Sequence, residues 1–202
     1  MNIYLLRHGI SVSNEKRIVC GASDYPLSTR GLAQAVAICA ELDKLTFSRI
    51  YCSPLQRAQQ TITHLKQQIA ITSVPALVEL DTGEVSHITV AELYAHSPRY
   101  QYQGLSPDLK YPGGECLNDM MARVTGWLDQ EKKNWADDEA ILIAGHEGTV
   151  CAILHHLLDL DIRHYPTFAI GNCDYVHIHV LVDGQARYRF VNFDDPTLKA
   201  MP

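Results

Sequence analysis

The sequence predicts an α/β protein: a three-layer α/β/α sandwich around a mostly parallel mixed sheet, with a small inserted cap. Three observations carry this. Short apolar runs alternate with amphipathic stretches for most of the length, the pattern of a parallel sheet covered by helices. The two clearest runs, Ile3-Tyr4-Leu5-Leu6 and Ala140-Ile141-Leu142-Ile143-Ala144, are apolar and lack helical periodicity, as buried strands do. And 202 residues with 47% hydrophobic and 20% charged content suit a single ordinary globular domain.

Each element follows in order. The first strand runs into Arg7-His8-Gly9, so a cation and an imidazole stand at the mouth of the sheet, where open α/β sheets bind ligands. Residues 9–27 read as loop, punctuated by Gly21, Asp24 and Pro26. Ser28 or Thr29 caps a helix over residues 30–44, with Leu32, Val36, Cys39 and Leu42 as its apolar stripe. A strand from Arg49 to Cys52 leads to Ser53-Pro54, an N-cap followed by proline at the first helical position. That helix is expected to reach Gln68, with Leu55, Ile62 and Leu65 facing inward.

A further strand is expected at Ala76–Leu80. Residues 85–114, polar and rich in tyrosine, read as the inserted cap, with one helix near 89–96. A helix over 116–134, the strand 140–144 ending in Gly145-His146, and a helix over 148–159 come next. A hairpin, 174–182 and 186–193 turned at Asp183-Gly184, closes the chain. His8 and His146 then occupy equivalent places, each just past a strand, and are expected to meet at one sheet edge.

Charge and composition narrow the function. A net charge of −6 argues against general nucleic-acid binding, so any anion site must be a local concentration of positive charge. The N-terminal apolar run stops at Leu6 without the features of a signal peptide, and no run approaches the length of a membrane span. Six cysteines without a C-x-x-C pair read as free thiols, with Cys39 and Cys151 on apolar helix faces, and the expected location is the cytoplasm. His177 and His179 share a strand face without a third metal ligand at a telling spacing, so no metal and no cofactor are expected.

If Arg7, His8, Arg57, Glu79 and His146 converge, two guanidiniums offer forked donors matched to phosphoryl oxygens, and Asn14 adds a neutral donor. A neutral imidazole beside them can attack phosphorus. The arginines depress its pKa and neutralise charge in the transition state. A carboxylic acid can protonate the leaving alkoxide and then activate water; Glu79 is the candidate, with Glu84 second.

The order of these blocks resembles the histidine phosphatase superfamily, also called phosphoglycerate mutase-like. Arg7-His8-Gly9 with Ser11 and Asn14 matches its opening signature, followed by Asp24-Tyr25-Pro26-Leu27 and Gly31-Leu32-Ala33-Gln34-Ala35. Ser53-Pro54-Leu55-Gln56-Arg57-Ala58 with Thr61, Leu77-Val78-Glu79-Leu80 with Gly83-Glu84, Pro112-Gly113-Gly114-Glu115 and Gly145-His146-Glu147-Gly148 complete it. The resemblance implies the phosphoglycerate mutase-like fold, His8 as the phosphorylated nucleophile, and Arg7, Arg57 and His146 as the phosphoryl holders. It also implies Glu79 as proton donor, with no metal. The chain departs from the pattern at Ile10, Val85-Ser86-His87, Cys116 and Glu147, where a glycine is common.

From Glu79 to Glu115, both included, stand only two basic residues, Arg99 and Lys110, against six acidic ones. A mutase needs further cations for a substrate carboxylate, so hydrolysis of a small phosphomonoester with a neutral sugar-like or aromatic body is favoured. The length and compact cap resemble the α-ribazole phosphatase branch, next to broad-specificity phosphatases. His87, Tyr94 and Tyr102 are the candidate substrate contacts. The alternatives are a phosphoglycerate mutase-type phosphoryl transferase and a non-catalytic phospho-ligand binder. A small phosphorylated metabolite is the expected partner; nucleic acid and membrane are not, and the oligomeric state is left open.

Overall fold

Alternate residues of the first apolar run point to opposite sides of a sheet, and both sides are covered. In the computed structural model, which describes residues 1–101, 104–181 and 185–193, this run lies within strand β1 (Asn2–Arg7). Ile3 and Leu5 join one core with Ile141, Ile143 and Val176; Tyr4 and Leu6 join a second with Leu142 and Ala144. Burial on both faces is why these strands read as continuous apolar runs.

The sheet has six strands in the order β3-β2-β4-β1-β5-β6, with β2 Arg49–Cys52, β3 Ile71–Ser73, β4 Ala140–Gly145, β5 Tyr175–Val180 and β6 Ala186–Val191. β3, β2, β4 and β1 are mutually parallel, whereas β5 pairs antiparallel with β1 and β6 antiparallel with β5. The expected three-layer mixed sandwich is therefore present. The hairpin's proposed turn at Asp183-Gly184 lies outside the described residues.

Six α-helices are described: α1 Val12–Glu15, α2 Thr29–Leu42, α3 Gln56–Ile62, α4 Val90–His96, α5 Leu117–Glu131 and α6 Glu147–Leu157. Ile38 and Leu42 of α2 pack with Ala58 and Ile62 of α3 over one sheet face; Met120, Val124 and Leu128 of α5 pack with Val150 and Ile153 of α6 over the other. Cys39 and Cys151 are buried among them, as their helical positions required.

Several boundaries differ from the sequence expectation. The third strand is Ile71–Ser73, and Pro75–Leu77 forms a 3₁₀ turn in place of the expected strand at Ala76–Leu80. Pro75 has no N–H to give to a ladder, so pairing stops after Val74 donates to the Cys52 carbonyl at 2.8 Å. The core face of α2 is Ala35, Ile38, Cys39 and Leu42, while Leu32 and Val36 are exposed. Gly31 fixes this rotation, because a Cβ there would lie 1.9 Å from the Ile10 carbonyl oxygen.

The third helix is shorter at both ends. Leu55 is extended (ψ 136°), so Ser53 does not cap it and the helix begins at Gln56. Asp24 caps it from the loop, accepting from the Gln56 backbone N–H at 2.7 Å and its side-chain amide at 3.0 Å. Beyond Ile62 the chain turns back toward the loop that follows α2, where the Gln67 amide oxygen accepts from Phe47 N–H at 2.9 Å.

Candidate active site

Parallel pairing sets Arg7 opposite Gly145, so the next residue on each strand, His8 and His146, emerges at the same sheet edge. The His8 N–H donates to the Gly145 carbonyl at 3.0 Å, and the two rings stand 5.1 Å apart, edge to face. The meeting expected from the strand ends is thus present in the structure.

His8 is buried, and its Nδ1 lies 2.6 Å from the Gly9 carbonyl. A carbonyl only accepts, so Nδ1 carries the hydrogen and Nε2 carries the lone pair. Burial, then Arg57, then Arg7, push its pKa well below the ordinary histidine value, which keeps the ring neutral at pH 7. The Gly9 contact opposes them only weakly.

Arg57, in the first turn of α3, is 1% exposed yet lines the cavity. Its Nε donates to His146 Nδ1 at 3.2 Å, and its two amino groups donate to the Ser23 and Gly21 carbonyls at 2.7 Å each. Three of the guanidinium's five N–H groups are thereby held, and two remain for a ligand. Because His146 Nδ1 accepts from Arg57, its Nε2 carries the hydrogen and donates to Ser53 Oγ at 2.8 Å. His146 is fully buried, lies behind the pocket wall, and has its pKa lowered by burial first and then by Arg57. Here it orients Arg57 and does not itself line the cavity.

The cavity, of about 250 Å³, is lined at its polar end by Arg7, His8, Asn14, Arg57, Glu79 and Glu147. Arg7 donates to the Ile170 carbonyl and pairs with Glu147 at 2.9 Å. Asn14 Oδ1 accepts from Ser11 N–H at 3.0 Å, Ser11 Oγ at 2.9 Å and Asn172 Nδ2 at 3.3 Å. That fixes the amide so that its NH₂ is the end left to donate.

Glu79 stands in an extended segment after the 3₁₀ turn, not at a strand end. Its Oε2 accepts from Gly148 N–H at 3.0 Å, at the start of α6, and its Oε1 from Leu80 N–H at 2.8 Å. Gly148 must be glycine for this, since a Cβ would lie 2.1 Å from Glu79 Oε1. Arg123 of α5 holds the backbone behind it, donating to the Ala76 and Glu79 carbonyls at 2.7 and 3.1 Å. Glu115 in turn grips Arg123 at 2.7 and 2.9 Å. Glu84, the second candidate acid, does not line the cavity.

Leu80, Leu93, Tyr94, Tyr100 and Tyr111 add an apolar and aromatic lining to the same cavity. Tyr94 thus lines the cavity. His87 does not: with φ +74° its backbone turns the ring toward Tyr25 Oη (2.7 Å) and Ser23 Oγ (3.4 Å). Tyr102 lies outside the described residues. Sequence reasoning missed Ser53, taken for a helix cap, and Arg123, which no motif marked. Glu147 stood out only as a departure from the family pattern.

His177 and His179 both point at one Asn2 side-chain oxygen, each at 2.9 Å, and His177 stacks on Tyr4. Among the described residues no three His, Cys, Asp or Glu side chains are grouped to hold a metal, and no helix is long and apolar enough to cross a membrane.

Residues 3–193 match the family model described as histidine phosphatase superfamily, branch 1. The chain belongs to that superfamily. Among its relatives, phosphoserine phosphatase 1 of Hydrogenobacter thermophilus is 27% identical over 185 residues, covering 89% of this chain and 87% of that one. A 2,3-bisphosphoglycerate-dependent phosphoglycerate mutase of Bartonella quintana is 31% identical over 169 residues, covering 79% and 82%. A solved mycobacterial glucosyl-3-phosphoglycerate phosphatase superposes with a TM-score of 0.79 at 26% identity, covering 94% and 96%. The α-ribazole phosphatase of Shigella flexneri shares the fold, with a TM-score of 0.80 at 24% identity and 96% coverage of each chain. Family membership and the phosphatase relatives together support a phosphoric monoester hydrolase.

Proposed function

We propose that this histidine phosphatase hydrolyses a small phosphomonoester through a phosphohistidine on His8, with no metal. One observation carries the reading: the Nδ1–H of His8 is spent on the Gly9 carbonyl, which leaves Nε2 with its lone pair on a ring that burial, Arg57 and Arg7 keep neutral. Nε2 attacks phosphorus, the N–P bond forms, and the bond to the ester oxygen breaks. Glu79 gives its proton to that departing oxygen. Positive charge developing on the ring is met by the Gly9 carbonyl, and Arg7, Arg57 and the Asn14 amide neutralise the equatorial oxygens. Glu79, now a carboxylate, takes a proton from water, whose oxygen attacks phosphorus and restores neutral His8. The two guanidiniums supply the positive charge that such a step requires.

The substrate has one phosphate and an uncharged body, sugar-like or aromatic, as in a nucleoside or sugar phosphate; α-ribazole 5′-phosphate is one member of that class. Among the described residues, Arg7 and Arg57 are the only arginine or lysine side chains lining the cavity, and both stand at the phosphoryl end. A phosphoglycerate or bisphosphate would leave its second anion without a cation. The aromatic lining comes from Tyr94, Tyr100 and Tyr111, which fall within the proposed cap over 85–114.

Release of p-nitrophenol from its phosphate ester, with chelator present, tests this. Wild type should turn over unaffected by chelator, His8→Ala should not, and an acid-labile phosphoryl group should be trapped on wild type alone. Equal activity in both proteins removes the nucleophile assignment.

A further inference from the structure

The phosphoryl end of the cavity holds a charge that a phosphoryl site does not call for. Glu147, the first residue of α6, lines the cavity and sets its Oε2 2.9 Å from Arg7. Both side chains are mostly shielded from water, at 16% and 28% exposed. Arg7 has also kept a donor in reserve, since its Nε is buried without a partner. One cation therefore faces two claimants: the resident carboxylate and the phosphoryl oxygens that the proposed function brings.

We propose that Glu147 is a built-in competitor for Arg7: its carboxylate pairs with the guanidinium before substrate arrives, and it takes up a proton as a phosphoryl dianion binds. The proposal rests on the phosphatase reading of the pocket, though its test does not require turnover.

Two negative groups on one guanidinium in a shielded pocket repel each other, and protonating the carboxylate relieves that. The groups facing Glu147 favour this. Arg7 comes from β1 and holds the carboxylate charged. Glu79, before α5, is a like charge, and the Ile170 backbone donates from the loop before β5. Burial is the largest influence and raises the Glu147 pKa; Arg7 opposes it and Glu79 adds to it. Cys151, one turn along α6, is a buried thiol whose pKa is pushed up by burial, so it stays neutral. His8 and His146 stay neutral as well, so neither ring adds a charge beside Glu147.

Binding of sulfate tests the proposal, because sulfate is a tetrahedral dianion throughout the working range and contributes no titration of its own. Calorimetry on the full chain, in buffers of different ionisation enthalpy, should show proton uptake with sulfate binding. Affinity should fall, by about tenfold in all, as pH rises above the ordinary glutamate range in wild type. Glu147→Gln, and independently Glu147→Ala, should bind sulfate about tenfold tighter above the ordinary glutamate range, with a shallower pH dependence and less proton uptake than wild type. Glu79→Gln should retain the wild-type slope, which separates the two carboxylates. Weaker sulfate binding in both Glu147 variants with the slope intact would show that Glu147 holds Arg7 in place, and would overturn competition. Absence of sulfate binding in every protein would overturn it too. Failure of wild type to hydrolyse p-nitrophenyl phosphate, by contrast, would strike the phosphatase reading while leaving the sulfate result standing.

Discussion

Gly148→Ala isolates the proton-transfer step from the rest of the site. A methyl on Gly148 would stand 2.1 Å from Glu79 Oε1 and 3.0 Å from its Cδ, so the carboxyl group has to withdraw by roughly 1 Å or more to restore contact. The clash is with the end of a flexible side chain, so the fold survives. Withdrawal forfeits the 3.0 Å bond from Gly148 N–H, a charge-assisted contact of about 1.5–3 kcal/mol. Alanine returns about 0.5–1 kcal/mol over glycine in a helix. The net loss is about 1–2 kcal/mol, a fall of a few degrees in Tm for a domain of this size.

Catalysis should suffer far more, because a 1 Å misplacement costs roughly 100-fold and general acid catalysis contributes about 10²–10⁴-fold. The loss should depend on the leaving group. An alkyl phosphate needs its oxygen protonated, so its kcat/KM should fall about 100-fold or more. A p-nitrophenyl ester leaves as a stable phenolate, and its loss should stay within about tenfold when phosphorylation of His8 limits the rate. Both esters are assayed on Gly148→Ala and Glu79→Gln, with thermal melts alongside. Equal losses for the two esters, or an unimpaired alkyl phosphatase, would refute the placement of Glu79 as proton donor.

Two other glycines have opposite outcomes. Gly31→Ala would bring a methyl 1.9 Å from the Ile10 carbonyl, a backbone atom that cannot swing aside, and should cost about 3 kcal/mol or more in urea unfolding. Gly126, exposed within α5 with no neighbour within 4 Å of an added Cβ, should gain about 0.5–1 kcal/mol as alanine. His155 is buried against Tyr165 and Phe168, and neither ring nitrogen makes a well-formed hydrogen bond. Burial lowers its pKa below 6.5, with the Leu160 backbone partly opposing, so the unfolded chain binds the proton more tightly. Its contribution to stability is therefore present above about pH 6.5 and lost as pH falls below it. His155→Leu should raise Tm by a few degrees and flatten that acid limb; a Tm that falls, with the limb unchanged, would count against the burial argument.

Much of this fold could be read from periodicity because the strands that position the site are buried on both sides. β1 and β4 are continuous apolar runs, and their parallel pairing puts His8 beside His146. β3 was misplaced for the opposite reason: its three residues are all exposed, so no burial pattern marks them, while the apolar Ala76–Leu80 stretch that resembled a strand begins at a proline turn. The α2 stripe was rotated because Leu32 and Val36 fit a helical period as well as Ala35 and Ile38 do. Only the close approach of Gly31 to Ile10, a contact between elements, decides which face turns inward. The same limit hid Ser53, Arg123 and Glu147. Each acts by touching a residue distant in sequence, and a spacing rule sees neighbours along one element only.

The arginines show how a chain of net charge −6 can present an anion site. Neither guanidinium is left to solvent. Arg57 is pinned by two loop carbonyls and by His146, itself pinned by Ser53, while Arg7 is tied to the Ile170 carbonyl and Glu147. Ordering these long side chains during folding means that a phosphoryl group need not order them on binding. Lysine could not do this work at position 57, since one ammonium has three donors on a single atom and cannot span two carbonyls, an imidazole and a ligand. The site's charge is thus decided by local hydrogen-bond geometry at two strand ends and one helix start, where the protein's overall charge has little leverage.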